Sequence, residues 1–222
     1  MKLRVDHVFI LTGAGAPAAD KLVSYGLVES YGRVHKGQGT SNRRFEFSNS
    51  MLELLWVHDE QEAMTGSGAM LHLAERVAGI GDNACPFGII LSPSNGNDRD
   101  LPFTGWSYQP DYFEPPMAFH IGSNSEQLSE PLCVYAPFFK ATPKQKQLPE
   151  QSPSPPGGFG QVTQIRLTVA CDVLSDQLAA VSGAPGLQIS TGTEHLMELS
   201  FDHSRQGISA DFRPDLPLII NR

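Results

Sequence analysis

Apolar and polar positions organise the chain into three blocks. The first runs from Leu3 to Val57. RVDHVFILT is rich in β-branched and aromatic residues and predicts a strand. GAGAPAADKLVSYG follows, with Pro17 near a first helical turn, Asp20 close behind it, and Ala18, Ala19, Leu22 and Val23 at helical spacing. Gly26 stands where a C-cap glycine belongs. LVESYGRVH, NRRFEFSN and MLELLWV predict three further strands, separated by turns containing glycine and asparagine. The unit reads β-α-β-β-β, with His7 on its first strand and Glu53 on its last.

A second helix is predicted from Gly68 to Val77, where Met70, Leu71, Ala74 and Val77 recur at three- and four-residue spacing. The second block spans Cys85 to Phe138. PFGIILSPS predicts a strand, and SYQPDY, MAFHIG and PLCVYAPF shorter ones broken by prolines that suit edges and turns. Residues 139–161, rich in Pro, Gln and Ser and without periodicity, read as a linker or long exposed loop. In the third block, residues 162–222, VTQIRLTVA predicts a strand, SDQLAAVSG a helix with Ser175 as N-cap, and LQISTG, HLMELSF and GISADF three strands. Strand, helix and three strands is the order of the first block again.

Hydrophobic residues make up 40% of the 222 positions and charged residues 18%, so the chain is globular and long enough for a sizeable core. The net charge of −8 disfavours nonspecific nucleic-acid binding but leaves room for an anionic small molecule opposite a few local arginines. Cys85, Cys133 and Cys171 are widely spaced in apolar runs, and an odd count without C-x-x-C reads as buried thiols rather than a disulfide framework. The N-terminal apolar run is interrupted by Asp6 and His7, too polar for a signal peptide, and no run approaches the ~18 residues of a membrane span. A cytoplasmic protein without membrane or nucleic-acid partners is expected.

DHVFILT, GAPAADKLVSYGLVES, HKGQGTSNRRFEFSN and MLELLWVHDEQEA together resemble the glyoxalase-like domains of the vicinal oxygen chelate superfamily, most strongly through GQGTSNRRFEF and LELLWV. The resemblance implies an α+β fold. Its βαβββ modules (here 3–57 and 85–138, within a domain 1–138) form a cupped mixed β-sheet with helices packed outside, and 162–222 is a third module of similar shape. It implies a small-molecule pocket in the cup and, in enzymes of the superfamily, one divalent metal ion held from the first and fourth strands. Here those strands offer His7 and Glu53, an imidazole and a carboxylate suited to several transition metals. Lyases, isomerases, ring-cleaving dioxygenases and metal-free binding proteins all share the architecture, so the reaction stays open. Monomer and homodimer are both compatible with it.

Without a metal, the same pair can serve as general acid and base, bond each other, or anchor a ligand. Strand alternation places His7 with Val5, Phe9 and Leu11, and Glu53 with Met51, Leu55 and Val57. The second module adds no evident metal ligand, with Phe87 aligned to His7 and only Cys133 on its last strand; His120 is a further candidate. Asn42, Arg43 and Arg44 are consecutive on a strand, so one arginine faces the pocket, where a guanidinium suits a carboxylate or phosphate. The other faces away, and either can instead pair with Glu46 or Glu53. Trp106 and Tyr108 are the better candidates for a pocket wall; Trp56 is a further candidate that reads first as a core residue. No G-x-S-x-G elbow or Cys-His arrangement supports hydrolysis.

Overall fold

A computed structural model describes residues 3–94, 100–139 and 158–222. Most of the predicted 139–161 segment lies outside them. The first block forms β1 (Leu3–Leu11), α1 (Ala19–Tyr25), β2 (Glu29–Ser30), β3 (Val34–His35), β4 (Thr40–Glu46) and β5 (Met51–Val57). Gly26 closes α1 in the left-handed region, at φ 110°, and its N–H reaches the Leu22 and Val23 carbonyls.

Beyond β5 the chain departs from the periodicity. Asp59 caps a helix that the pattern did not single out, α2 (Glu60–Thr65), its side chain accepting from the Glu62 N–H. The helix predicted over Gly68–Val77 is a 3-10 turn at Ala69–Leu71 followed by α3 (Leu73–Ala78), because His72 takes a left-handed conformation (φ 55°) that no α-helix can pass through. Then come β6 (Phe87–Pro93), β7 (Gly105–Tyr108), β8 (Phe119–Gly122) and β9 (Leu132–Tyr135). The third block forms β10 (Val162–Ala170), α4 (Asp176–Val181), β11 (Leu187–Gly192), β12 (Leu196–Phe201), β13 (Ser209–Asp211) and β14 (Leu218–Asn221). Ser175 caps α4, accepting from the Leu178 N–H.

The protein is α+β, with two mixed sheets and four short α-helices among the described residues. The first sheet has nine strands in the order β2-β4-β5-β1-β6-β9-β8-β7, with β3 also on β4. Its halves repeat one pairing scheme. β1 lies parallel to β5, and β4 and β2 follow antiparallel; β6 lies parallel to β9, and β8 and β7 follow antiparallel. The halves join through the antiparallel β1–β6 pair. No helix is described between β6 and β7.

The third block pairs differently from the first. Its order is β11-β10-β12-β14-β13, so the opening strand β10 pairs with β11 across α4 and with β12, not with the last strand. It also holds a strand the pattern did not reveal, β14, hidden behind the proline-rich RPDLP that precedes it.

Alternating residues of the same strands serve two cores. Val8, Ile10, Phe45, Leu52, Leu54, Phe87, Ile89 and Leu91 point to one face and join Leu22 of α1 with Ile165, Leu167, Val169, Met197, Leu199 and Ile220 of the third block. The third block therefore covers that face of the nine-stranded sheet. Phe9, Leu11, Leu55, Ile90, Ile121, Leu132 and Val134 build the second core on the opposite face. At ~25 cal/mol per Å2 of apolar surface, such two-sided burial is the dominant favourable term in folding. Cys85 and Cys133 are fully buried thiols whose burial pushes their pKa values up to about 12, and Cys171 is partly exposed and unbridged. No helix of the described residues is long and apolar enough to cross a membrane.

Candidate functional site

The face opposite the third block holds a cavity of about 240 Å3. Its polar groups come from β1, β3, β4, β5 and the turns around β3; its apolar wall comes mainly from β6 to β9 and the β7–β8 loop.

A β-bulge sets the polar end. The β1–β6 register shifts between Val5 and His7. Strict alternation would place Val5 with His7; instead Leu3 and Val5 pack on the third-block face, while Asp6, His7 and Phe9 line the cavity. Bulges commonly re-aim side chains beside functional sites. Here the consequence is local and chemical. Asp6 Oδ1 lies 2.9 Å from His7 Nδ1, and Asp6 Oδ2 accepts from Arg4 Nη2 at 2.9 Å. Burial opposes the charge on Asp6, but the His7 hydrogen bond and the His7 and Arg4 charges outweigh it and hold the carboxyl below its ordinary range. An ionised carboxylate only accepts, so the proton sits on His7 Nδ1 and Nε2 is the atom turned to the cavity.

Glu53 is the centre of the polar end. It is 7% exposed, and Asn42 Nδ2 donates to its Oε1. His7 Nε2 stands 4.0 Å from Oε2, and His35 Nε2 4.0 Å from Oε1. His35 is in turn 3.0 Å from Thr40 Oγ1 through Nδ1, and Gln38 Nε2 donates to the same hydroxyl at 2.8 Å. Burial, partly offset by the Glu53 charge, lowers the His35 pKa, so this imidazole is neutral at neutral pH. Tyr112 and Tyr108 each donate to Gln38 Oε1, at 3.3 and 3.4 Å. Burial pushes the Tyr108 phenol up to about 12 and raises that of Tyr112 as well, so both are donors throughout the ordinary pH range.

Arg44 reaches the cavity, and Arg43 does not. Alternation along β4 sends Thr40, Asn42 and Arg44 inward and Arg43 outward, where it binds Glu29 at 2.6 and 2.7 Å and Asp20 at 2.8 Å. Arg44 Nε donates to the Tyr31 carbonyl and its guanidinium stacks over the Tyr31 ring at 4.0 Å. Its Nη2 is buried without a hydrogen-bond partner. Arg33, which also lines the cavity, lies 5.7 Å over the Tyr112 ring.

Of the other expected site residues, His7, Asn42, Glu53 and Tyr108 line the cavity. Trp56 faces the opposite core, since it is one residue out of phase with Leu55 on β5. His120 is likewise out of phase with Phe119 and Ile121; it stacks on Phe103 and its Nε2 bonds the Phe103 carbonyl. Trp106 packs on the second core and donates to Ser125 Oγ at 3.3 Å, outside the cavity wall. Asp6, Arg33, His35, Gln38 and Tyr112 escaped the sequence reading. The DH pair beside a strand start was the available signal for Asp6; for His35 and Gln38 there was only their place beside the HKGQGT turn.

No group of three or more His, Cys, Asp or Glu side chains among the described residues is arranged to hold a metal ion. Metal bonds of ~2.0–2.1 Å at tetrahedral angles require donors closer together than the 4.0 Å separating Glu53 from each imidazole, and Glu53 Oε1 already accepts from Asn42. His7 and Glu53 as placed do not fit a tetrahedral ion.

No family model matches the chain, and no curated protein matches it. Among solved structures, the fold is similar to that of a hypothetical protein from Staphylococcus aureus, with TM-score 0.60 and 11% identity over 100% of this chain and 99% of that one. A hypothetical protein from Bacillus halodurans is a partial match, with TM-score 0.38 and 13% identity over 61% of this chain and 94% of that one. The first likeness is one of fold, and spans both chains from end to end.

Proposed function

We propose that this chain is a glyoxalase-like protein of the vicinal oxygen chelate type, binding and converting a small, anionic, oxygenated metabolite in the cup of its nine-stranded sheet. The pairing scheme that the two halves share, joined through their first strands, supports the family reading. The observation that carries the functional reading is Glu53, buried between two imidazole Nε2 atoms in a cavity that Arg33 and Arg44 also line. A buried carboxylate is costly unless it is paired, and this one is placed to accept a proton from a ligand while His7 or His35 donates or accepts beside it. Proton transfer at a carbon next to a carbonyl is the chemistry such a trio performs without further help. The charge that develops on the carbonyl oxygen would then face the phenol, imidazole and guanidinium donors.

The test is binding and turnover of a panel of small 2-hydroxy and 2-oxo acids, with solvent deuterium exchange at the adjacent carbon as the readout. Wild type should exchange at least one compound, and Glu53→Gln should lose that exchange while keeping its thermal stability. Exchange unchanged in Glu53→Gln and His7→Ala would contradict the catalytic reading. Tight binding without exchange would favour a second reading, a sequestering protein, for which the apolar wall of the cavity is the supporting feature.

A further inference from the structure

The cavity is amphiphilic, and its two ends differ enough to specify a ligand. Asp6, Glu53, Arg33 and Arg44 line it, while His35 is kept neutral by burial. Asp6 is already paired with Arg4 and His7, and Glu53 bonds Asn42. That leaves the guanidinium groups of Arg33 and Arg44, which line the cavity and form no ion pair among the described residues, to meet an incoming anion. Two carboxylates at the same end penalise a dianion more than a monoanion, since like charges in a desolvated site repel strongly. The opposite end is built of rings. Phe113 and Phe119 lie 5.0 Å apart and tilted at 48°, Phe119 and Phe139 stand edge to face at 6.2 Å, and Tyr108 is stacked on Phe119 at 6.4 Å. Such tilted and edge-on rings offer both faces and edges to a further ring. At about 240 Å3 the space falls below the ~300–1,000 Å3 of pockets for drug-sized ligands, enough for one ring and a short head.

We propose that the ligand class is the monoanionic aromatic acids: one six-membered ring among Phe113, Phe119 and Phe139, and a carboxylate on Arg44, with an oxygen next to it facing Glu53 and His7. This deepens the reading of the cavity as a site for a small anionic metabolite, and rests on it. The ring displaces water from an apolar wall, and the carboxylate supplies an anion for a guanidinium that has no ion pair, so the two ends act together.

The test is a calorimetric titration of the full chain with three probes: mandelate, which has ring and 2-hydroxy acid; lactate, which has the acid alone; and benzyl alcohol, which has the ring alone. Mandelate is expected to bind at least tenfold tighter than either fragment. Phe119→Leu should weaken mandelate at least fivefold and leave lactate unchanged; Arg44→Gln should weaken mandelate and lactate and leave benzyl alcohol unchanged. Phe113→Leu and Arg44→Lys repeat the two arms with smaller perturbations, and melting curves of all four variants confirm that they fold. Lactate binding as tightly as mandelate would overturn the aromatic assignment while leaving the small-acid reading in place. Benzyl alcohol matching mandelate, or no binding by either acid, would overturn both.

Discussion

The first and second halves of the nine-stranded sheet share a pairing scheme and divide a cavity between them unequally. β1 to β5 with their turns supply Asp6, His7, Arg33, His35, Gln38, Asn42, Arg44 and Glu53, together with apolar Phe9, Met51 and Leu55; β6 to β9 with their loops supply Ile90, Tyr108, Tyr112, Phe113, Phe119, Ile121, Leu132 and Val134. The same backbone plan thus carries all the charges on one side and most of the apolar wall on the other. On the far face both halves meet the third block: Asn49 of the first exchanges hydrogen bonds with the Val162 backbone at 2.8 and 2.9 Å, and Glu130 of the second accepts from the Ser175 N–H and hydroxyl at 2.8 Å. A duplicated unit can specialise in this way because strand pairing constrains backbone, while each inward side chain remains an independent choice.

The largest expected effect breaks the second half. Arg76 of α3 is fully buried and donates to five carbonyls, those of Cys85, Ser125, Gln127, Leu128 and Glu130, at 2.6 to 3.5 Å. It organises the loop before β9. Arg76→Met strips this donor from all five, leaving only the Leu128 and Gln127 carbonyls with the backbone N–H partners they have from Cys85 and Glu130, and should cost about 3–5 kcal/mol in chemical denaturation.

Next comes the seam between the halves. Gly88 on β6 faces Phe9 on β1, and a Cβ there would stand 1.9 Å from the Phe9 ring. Gly88→Ala should push that ring toward the cavity, lowering stability by about 1–3 kcal/mol and weakening ligand binding in the same variant. A Gly88→Ala variant with unchanged binding would show that Phe9 does not shape the site.

The first half should announce itself through pH. The folded pKa of His35 is depressed by burial, so the unfolded chain binds this proton more readily. Stability from this group is complete above the unfolded value of about 6.5 and is lost as pH falls below it. His35→Gln should flatten the pH dependence of the unfolding free energy between about pH 6.5 and 5 by up to ~1.4 kcal/mol per pH unit. Asp6 acts lower: its depressed pKa gives stability present above the usual carboxylate value and lost as pH falls through the folded one. The smallest effect concerns the third block, where Ser175→Ala removes both the α4 cap and a Glu130 contact and should cost about 1 kcal/mol.

What the sequence revealed follows the same division. The strands of the first half were legible because long β-branched runs end at Gly and Asn, and Glu53 was legible as a lone charge in an apolar strand. Three things were hidden. The bulge at Asp6 leaves no trace in composition, so Val5 was expected beside His7 and Asp6 was passed over. The strand predicted over LVESYGRVH breaks into the two-residue β2 and β3, and nothing in its pattern showed that His35 is buried rather than on the surface. The wall residues Tyr112 and Phe113 sit in a proline-rich loop whose course depends on tertiary contacts, including the 5.4 Å approach of Tyr112 to His35. Trp56, Trp106 and His120 were drawn in by residue type; alternation of side chains along their strands sends Trp56 and His120 elsewhere, and a Ser125 bond holds Trp106 off the wall.

A crystal structure of the protein soaked with mandelate tests the central division most directly. The account expects the ring among Phe113, Phe119 and Phe139 of the second half, and the carboxylate on Arg44 with the hydroxyl between Glu53 and His7 of the first. Mandelate bound in the reverse orientation, or outside this cavity, would contradict it.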